Sequence, residues 1–346
     1  MTWCPLGVLL TPILKREQTS LRALSGKSFA VDAGIELHQF LALIRKPDGT
    51  LFTDPTGRVT SHLIGLLTRT SRLITDYKMK PVFVFDGRPN PLKRRTVEAR
   101  RAARQKAEAE YSQAVSKRDY STAWSKAVMT GRVTSEVLDD AKRLLSLMGI
   151  PWLGAPEDGE AQASYMAARG DVWAVGSKDY DSLLYGAPIL ARFLTITGRE
   201  YLPAQNRMRP LIPELVKLSD NLQALGLTRE QLIDLAILVG TDFNEGVKGI
   251  GPKKALALLR KHGSIEKLAG DVRSQLDVHL DEVREVFLHP KILESYQVRA
   301  SSPDLDGLIG FLSKERGFSE ERVKRTVERL LRAYQHPDTG LGEWMR

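Results

Sequence analysis

Cysteine is all but missing from this sequence: one residue, Cys4, in 346. A single thiol excludes an internal disulfide framework and a cysteine-rich zinc site, and it is compatible with a reducing interior. Long hydrophobic runs are missing too. No apolar stretch reaches the roughly 18 residues of a membrane span, so no membrane partner is expected. The opening residues, MTWCPLGVLLTP, lack the basic n-region of a secretion signal and are too short for one. What is present is the composition of a soluble globular protein, 42% hydrophobic and 27% charged. The chain is long enough for one large domain or two. Its net charge of +9 favours a polyanionic partner, chiefly nucleic acid.

Three apolar runs of β character each end in an acid. KSFAVDA ends near Asp32, KPVFVFDG at Asp86, and DVWAVGSKDYD in Asp179 and Asp181. Helical patterns lie between them, such as TSHLIGLLTRTSRLITDY and SEVLDDAKRLLSLMG. Short apolar strands alternating with helices predict an α/β fold, a mostly parallel sheet flanked by helices. Ligand sites in such sheets lie beyond the carboxyl ends of the strands, so these acids would converge on one edge. A single Asp is as readily explained as a turn or helix cap. Converging carboxylates without a counter-charge would repel one another. In GAPEDGEAQASYMAARG, a short helix is expected with Asp158 as N-cap, Glu160 in the first turn and Gly170 as the stop. Capping accounts for one acid and not for two.

From Asn90 to about Ala127 the chain is basic, alanine-rich and poor in large apolar residues. Asn90-Pro91 is a good helix start. Lys93, Arg100 and Arg104 then share one helix face, which suggests a place where phosphate is handled; a solvated surface helix is the bland alternative. Later, QLIDLAILVGTDFNEGVKGIGPKKALALLRKHG reads as helix, glycine-rich turn, helix. Backbone amides of Gly249 and Gly251, with Lys253 and Lys254, suit a phosphate. A plain helix–helix connection would look similar. Asp242 precedes the turn as a seventh candidate carboxylate.

These motifs resemble the structure-specific 5′ nuclease (XPG/Rad2-like) family, and within it the archaeal-type flap endonucleases. GRVTSHLIGLLTRT, KPVFVFDGRP, GIPWLGAPEDGEAQASYMAARG, KDYDSLLYGAP, LAILVGTDF and KGIGPKKAL occur in family order and spacing from about Gly7 onward. The resemblance implies a PIN-like nuclease core over residues 1–230, with a helical arch inserted at about 88–133. A helix–two-turn–helix region and C-terminal helices would follow over 231–334, and a clamp-binding-like tail over 335–346. It implies one metal held by Asp32, Asp86, Asp158 and Glu160 and another by Asp179, Asp181 and Asp242. All-oxygen donors suit two Mg²⁺ ions, with Mn²⁺ as substitute. Lys93 and Arg100 would contact the scissile phosphate. The turn would grip duplex backbone, with K⁺ held partly by its carbonyls. The implied function is cleavage of branched DNA carrying a 5′ flap, with 5′ exonuclease activity, in replication and repair. A monomer is implied, at work in the cytoplasm at the nucleoid.

Four departures from the family pattern stand out. Asp158 replaces the family's Glu, one methylene longer; Glu157 is the alternative ligand if Asp158 falls short. Lys178 replaces a common Gln, and would weaken metal affinity or add a phosphate contact. His38 stands where the family stacks a Tyr on a base; a partly buried helix His is the other reading. Residues 1–5 precede the Leu-Gly-Val that matches the family's Met-Gly-Val start; they are a real extension or a misassigned start. In the tail DTGLGEWMR, Leu341, Trp344 and Met345 would anchor on a sliding clamp (PCNA), with Trp344 an exposed aromatic. Asp338 replaces the family's leading Gln, and no basic extension follows as in nuclear relatives.

Overall fold

The computed structural model describes residues 7–117, 119–195, 198–202, 207–276, 280–335 and Trp344. Nine strands are formed: β1 (Glu17–Gln18), β2 (Ser28–Asp32), β3 (Lys80–Phe85), β4 (Trp152–Gly154), β5 (Ala174–Gly176), β6 (Ile189–Arg192), β7 (Gly198–Leu202), β8 (Arg207–Leu211) and β9 (Glu214–Lys217). Seven of them make one sheet in the order β1-β9-β6-β5-β2-β3-β4. The four central pairings from β6 to β4 are parallel, and β9 and β1 add an antiparallel edge. β7 and β8 form a separate antiparallel pair.

Strand alternation divides the core. Ala30, Val82, Val84 and Val175 face one hydrophobic cluster, with the helices Gly159–Arg169, Arg229–Val239 and Pro252–His262. Phe29, Val31, Phe83 and Phe85 face the other, with Ala33–Leu43, Ser135–Leu147 and Glu320–Gln335. Successive strand residues point to opposite faces, so strands buried on both sides read as continuous apolar runs. The helices Arg229–Val239 and Pro252–His262 thus complete a cluster that the sheet begins.

The chain leaves β2 towards β3 on one side, and β5 towards β6 on the other. The crevice of such a switch point lies at the carboxyl ends of β2 and β5. Asp32 is the last residue of β2 and Asp86 the first after β3. Asp179 and Asp181 lie beyond β5, which ends at Gly176; Asp181 opens a short helix, Asp181–Leu184.

Two further differences concern helices. TSHLIGLLTRTSRLITDY is interrupted by a π turn at Leu66–Thr70, which periodicity cannot announce. The basic helix begins with a 3₁₀ turn at Pro91–Lys93, capped by Asn90, before Arg94–Ser116. That helix buries only Ala107 and Ala114. It is held instead by the helix Tyr120–Ala127 and by an ion pair between Lys126 and Glu110. Among the described residues no helix is long and apolar enough to cross a membrane.

Candidate active site

Local geometry explains much of the carboxylate placement. Asp32 caps the helix Ala33–Leu43, its Oδ1 accepting from the Ile35 amide at 3.0 Å. Asp158 caps Gly159–Arg169, its Oδ1 accepting from the Glu160 amide at 3.1 Å. Asp86 Oδ1 accepts from the Gly159 amide at 2.7 Å, across the β3–β4 register. Asp181 Oδ1 accepts from the Val8 amide at 2.8 Å. Glu160 Oε1 accepts from the Ser177 hydroxyl at 2.6 Å. A methyl group placed on Gly34 would sit 3.2 Å from Asp86 Oδ2 and 3.3 Å from Asp32 Oδ1. One placed on Gly7 would sit 2.9 Å from Asp181 Oδ1 and 3.1 Å from Asp179 Cβ. Gly7, at φ +69°, is therefore required as glycine, while a side chain at Gly34 would press on both carboxylates.

Asp32, Glu160 and Asp181 are buried, while Asp158, Asp179 and Asp242 are half-buried. Asp86 is exposed as a residue, its carboxylate set in the wall of a cavity of about 330 Å³ that also meets Lys93, Arg100, Asp158, Tyr185 and Phe243. Burial, followed by Asp86, pushes Asp32 well above the usual carboxylate range; burial, followed by Asp181, does the same to Glu160. Asp179 is pushed up to about 7, burial outweighing the opposing charge of Lys178. Asp181 is pushed up to about 8 by burial, then by Asp242 and Asp179. Asp86 is raised as well, by the protein packed around its carboxylate and by Asp158. These mutual effects require the acids to be electrostatic neighbours.

Two cations reach in from the basic helix. Lys93 Nζ pairs with Asp158 Oδ2 and lies 5.1 Å from the centre of the Phe243 ring. Burial disfavours its charge, but Asp158, then Asp242 and Asp86, hold the ammonium above its ordinary value. Arg100 Nη2 donates to Asp242 Oδ1 at 2.5 Å, and Thr96 Oγ1 donates to the Asp242 carbonyl at 2.7 Å. Among the described residues no three His, Cys, Asp or Glu groups close on one point as a finished ligand cage. The like charges are instead spread apart and engaged by Lys93, Arg100, backbone amides and Ser177. Two cations facing seven carboxylates, three of them buried, leave an excess of crowded acidic groups. Divalent cations suit that excess, and an all-oxygen donor set suits Mg²⁺ or Mn²⁺.

Other expected residues distribute as follows. His38 is half-buried near Arg104 and Arg100; burial first, then those two cations, depress it to about 4, so its imidazole is neutral. Glu157, the alternative ligand, is engaged elsewhere. It pairs with Lys291 at 2.5 Å and accepts from Asn90 Nδ2 at 3.1 Å. Gly249 (φ +77°) and Gly251 lie in an exposed turn, and Lys253 and Lys254 are exposed in the first turn of the helix Pro252–His262 that follows, with Lys254 Nζ donating to the Gly249 carbonyl at 3.0 Å. Trp344 corrects the expectation of an exposed aromatic. It is half-buried, stacked on Tyr334 at 6.3 Å and 24°, because the helix Glu320–Gln335 offers it an apolar face. Leu341 and Met345 lie outside the described residues.

Three residues were missed. Ser177 holds Glu160, and Tyr185 Oη donates to Asp158 Oδ2 at 3.0 Å. Glu36 lies one turn beyond Asp32, its carboxylate bonded by Thr195 Oγ1 and raised by burial to about 7. The only available signal was helical spacing for Glu36, and proximity to the KDYD acids for the other two.

The chain matches the family models described as XPG N-terminal domain, over residues 6–107, and XPG I-region, over 149–242. It is 46% identical to flap endonuclease 1 of Methanothrix thermoacetophila over 340 residues, spanning 98% of this chain and all of the relative. It is 48% identical to flap endonuclease 1 of Pyrococcus furiosus over 329 residues, 95% of this chain and 96% of the other. Among solved structures, flap endonuclease-1 from Methanococcus jannaschii superposes with a TM-score of 0.75 at 39% identity, covering 94% of this chain and 98% of that one. The catalytic core of Rad2 in complex with DNA shares the fold, with a TM-score of 0.68 at 24% identity over 93% of this chain and 97% of the other. The chain belongs to the flap endonucleases of the XPG family.

Proposed function

We propose that this protein hydrolyses DNA phosphodiesters at the junction of a 5′ flap with duplex, and trims 5′ ends exonucleolytically, in replication and repair. The observation that carries the reading is the carboxylate edge faced by Lys93 and Arg100 from a basic helix whose only buried residues are Ala107 and Ala114. Asp32, Asp86, Asp158 and Glu160 would hold one divalent cation, and Asp179, Asp181 and Asp242 a second. Bound Mg²⁺ or Mn²⁺ would supply an activated water and stabilise the leaving oxygen. Lys93 and Arg100 exchange their carboxylate partners for the scissile phosphate and balance charge as it builds there. His38, neutral, offers an uncharged ring face to a base.

The exposed turn at Gly249–Gly251 presents backbone and Lys253 to a duplex backbone. A K⁺ ion there competes with Lys254 for the Gly249 carbonyl. The protein acts as a monomer at the nucleoid, and its tail docks on a sliding clamp once Trp344 leaves Tyr334. A pull-down with the cognate clamp tests that last point; equal recovery of native protein and Trp344→Ala would sink it. For the activity itself, a labelled double-flap DNA is incubated with Mg²⁺, with EDTA, and beside a single-strand control. Cleavage at the junction only with Mg²⁺ supports the reading. Equal cutting of the single strand overturns its structure specificity.

A further inference from the structure

The question left by Asp158 is how a short carboxylate at a helix N-cap is kept pointing into the site. Its Oδ1 is committed to the Glu160 amide at 3.1 Å. Its Oδ2 takes two donors, Lys93 Nζ and Tyr185 Oη, the latter at 3.0 Å. The two donors differ in kind. Lys93 is a flexible four-carbon stem ending in a point charge. Tyr185 is a rigid ring, 7% exposed, packed against Phe287 at 5.0 Å, which is itself packed edge-to-face on Phe243 at 5.3 Å. Phe287 lies in the helix Leu280–Leu288, so that helix fixes the direction of the phenol.

We infer that Tyr185 is a positioning residue: its hydroxyl holds Asp158 Oδ2 so that the lone pair now facing Lys93 is offered to a divalent cation when Lys93 turns to phosphate. This rests on the two-cation reading above. A carboxylate oxygen has room for two such partners. The Tyr185 hydrogen bond and a cation can therefore occupy Oδ2 together, whereas Lys93 and a cation compete for the same side of it. Partners behind a ligand commonly govern metal affinity as strongly as this. The other role open to the hydroxyl is a structural one, in which Asp158 merely satisfies a buried phenol.

Tyr185→Phe separates the two, because it deletes one oxygen and leaves the ring on Phe287. Mn²⁺ binding to the DNA-free protein is followed by electron paramagnetic resonance in native, Tyr185→Phe, Asp158→Ala and doubly substituted protein. The expected result is a roughly tenfold weaker Mn²⁺ affinity for Tyr185→Phe. No further loss is expected when the same change is made in Asp158→Ala. With flap DNA, the Mg²⁺ concentration for half-maximal cleavage should rise by a similar factor, with KM for DNA unchanged. Native Mn²⁺ affinity in Tyr185→Phe overturns the inference. So does an equal loss with and without Asp158. A native protein that cuts no flap in Mg²⁺ defeats the functional reading instead, and the two failures are told apart by that control.

Discussion

Gly87 follows Asp86 directly, and its neighbourhood permits a strong prediction. Beyond the end of β3 the backbone stays paired with the segment after β4: Ala155 N donates to Phe85 O at 2.8 Å, Gly87 N to Glu157 O at 2.7 Å, and Arg88 N to Pro156 O at 3.1 Å. Asp86 hangs from one of these segments and Asp158 from the other. A methyl group on Gly87 would lie 2.1 Å from the Ala155 carbonyl oxygen and 2.4 Å from that of Pro156. Both obstacles are backbone, so no rotamer change relieves them. Heavy atoms pack at roughly 3.5–4.0 Å, so the two segments must part by about 1 Å or more. Overpacking of this kind costs about 1–3 kcal/mol of stability. For activity the geometry matters more, because a misplacement of about 1 Å in a reacting constellation costs on the order of 10²-fold. Gly87→Ala should therefore fold, melt a few degrees lower by calorimetry, and lose about 10²-fold or more in Mg²⁺-dependent turnover. Gly154→Ala is the control, since a methyl group there meets nothing within 4 Å. Native turnover in Gly87→Ala would refute the claim that this register fixes Asp86 against Asp158.

Lys93→Ala should lower turnover on flap DNA by roughly 10²–10³-fold with KM little changed; a loss confined to KM would make Lys93 a positioning contact only. Asp86→Ala and Asp179→Ala should retain DNA binding by gel shift and lose Mg²⁺-dependent cleavage. Asp181→Asn removes a charge that burial, Asp242 and Asp179 all disfavour. In EDTA at pH 8 it should melt above the native protein, while the Tm gain on adding Mg²⁺ should shrink. His62 is fully buried, and its two ring nitrogens have no hydrogen-bond partner among the described residues. Burial depresses it to about 4 despite Asp140, and Arg316 reinforces the depression. Its folded pKa lies below its unfolded one, so the stability it supports is intact above about 6.5 and is lost as pH falls towards 4. The loss is on the order of 3 kcal/mol. Urea unfolding at pH 7 and pH 4.5 should show a smaller difference in unfolding free energy for His62→Gln than for the native protein; equal differences would refute this.

How much of the site was legible depended on how local each constraint is. Asp32, Asp158 and Gly170 do their work within a few residues: two cap helices, and Gly170 ends one at φ +82°. Strand-end acids were legible because parallel strands deliver their carboxyl ends to one edge. The π turn at Leu66–Thr70, the two-residue β1, and Trp344 folded back on Tyr334 were not, since each depends on what happens to pack beside it.

The sequence by itself determined the alternation of apolar strands and helices, the convergence of acids on one sheet edge, the basic face of the inserted helix, and the family. These rest on periodicity and on strand polarity, which are properties of the chain alone. Only the tertiary structure decided which partner each carboxylate has. Lys93 meets Asp158 across 65 residues, Arg100 meets Asp242 across 142, and Tyr185 meets Asp158 across 27. It also turned Glu157 towards Lys291 and Asp158 towards Lys93. A hydrogen bond specifies direction to within tens of degrees, and no spacing along the chain carries that information until the sheet and its helices bring the atoms together.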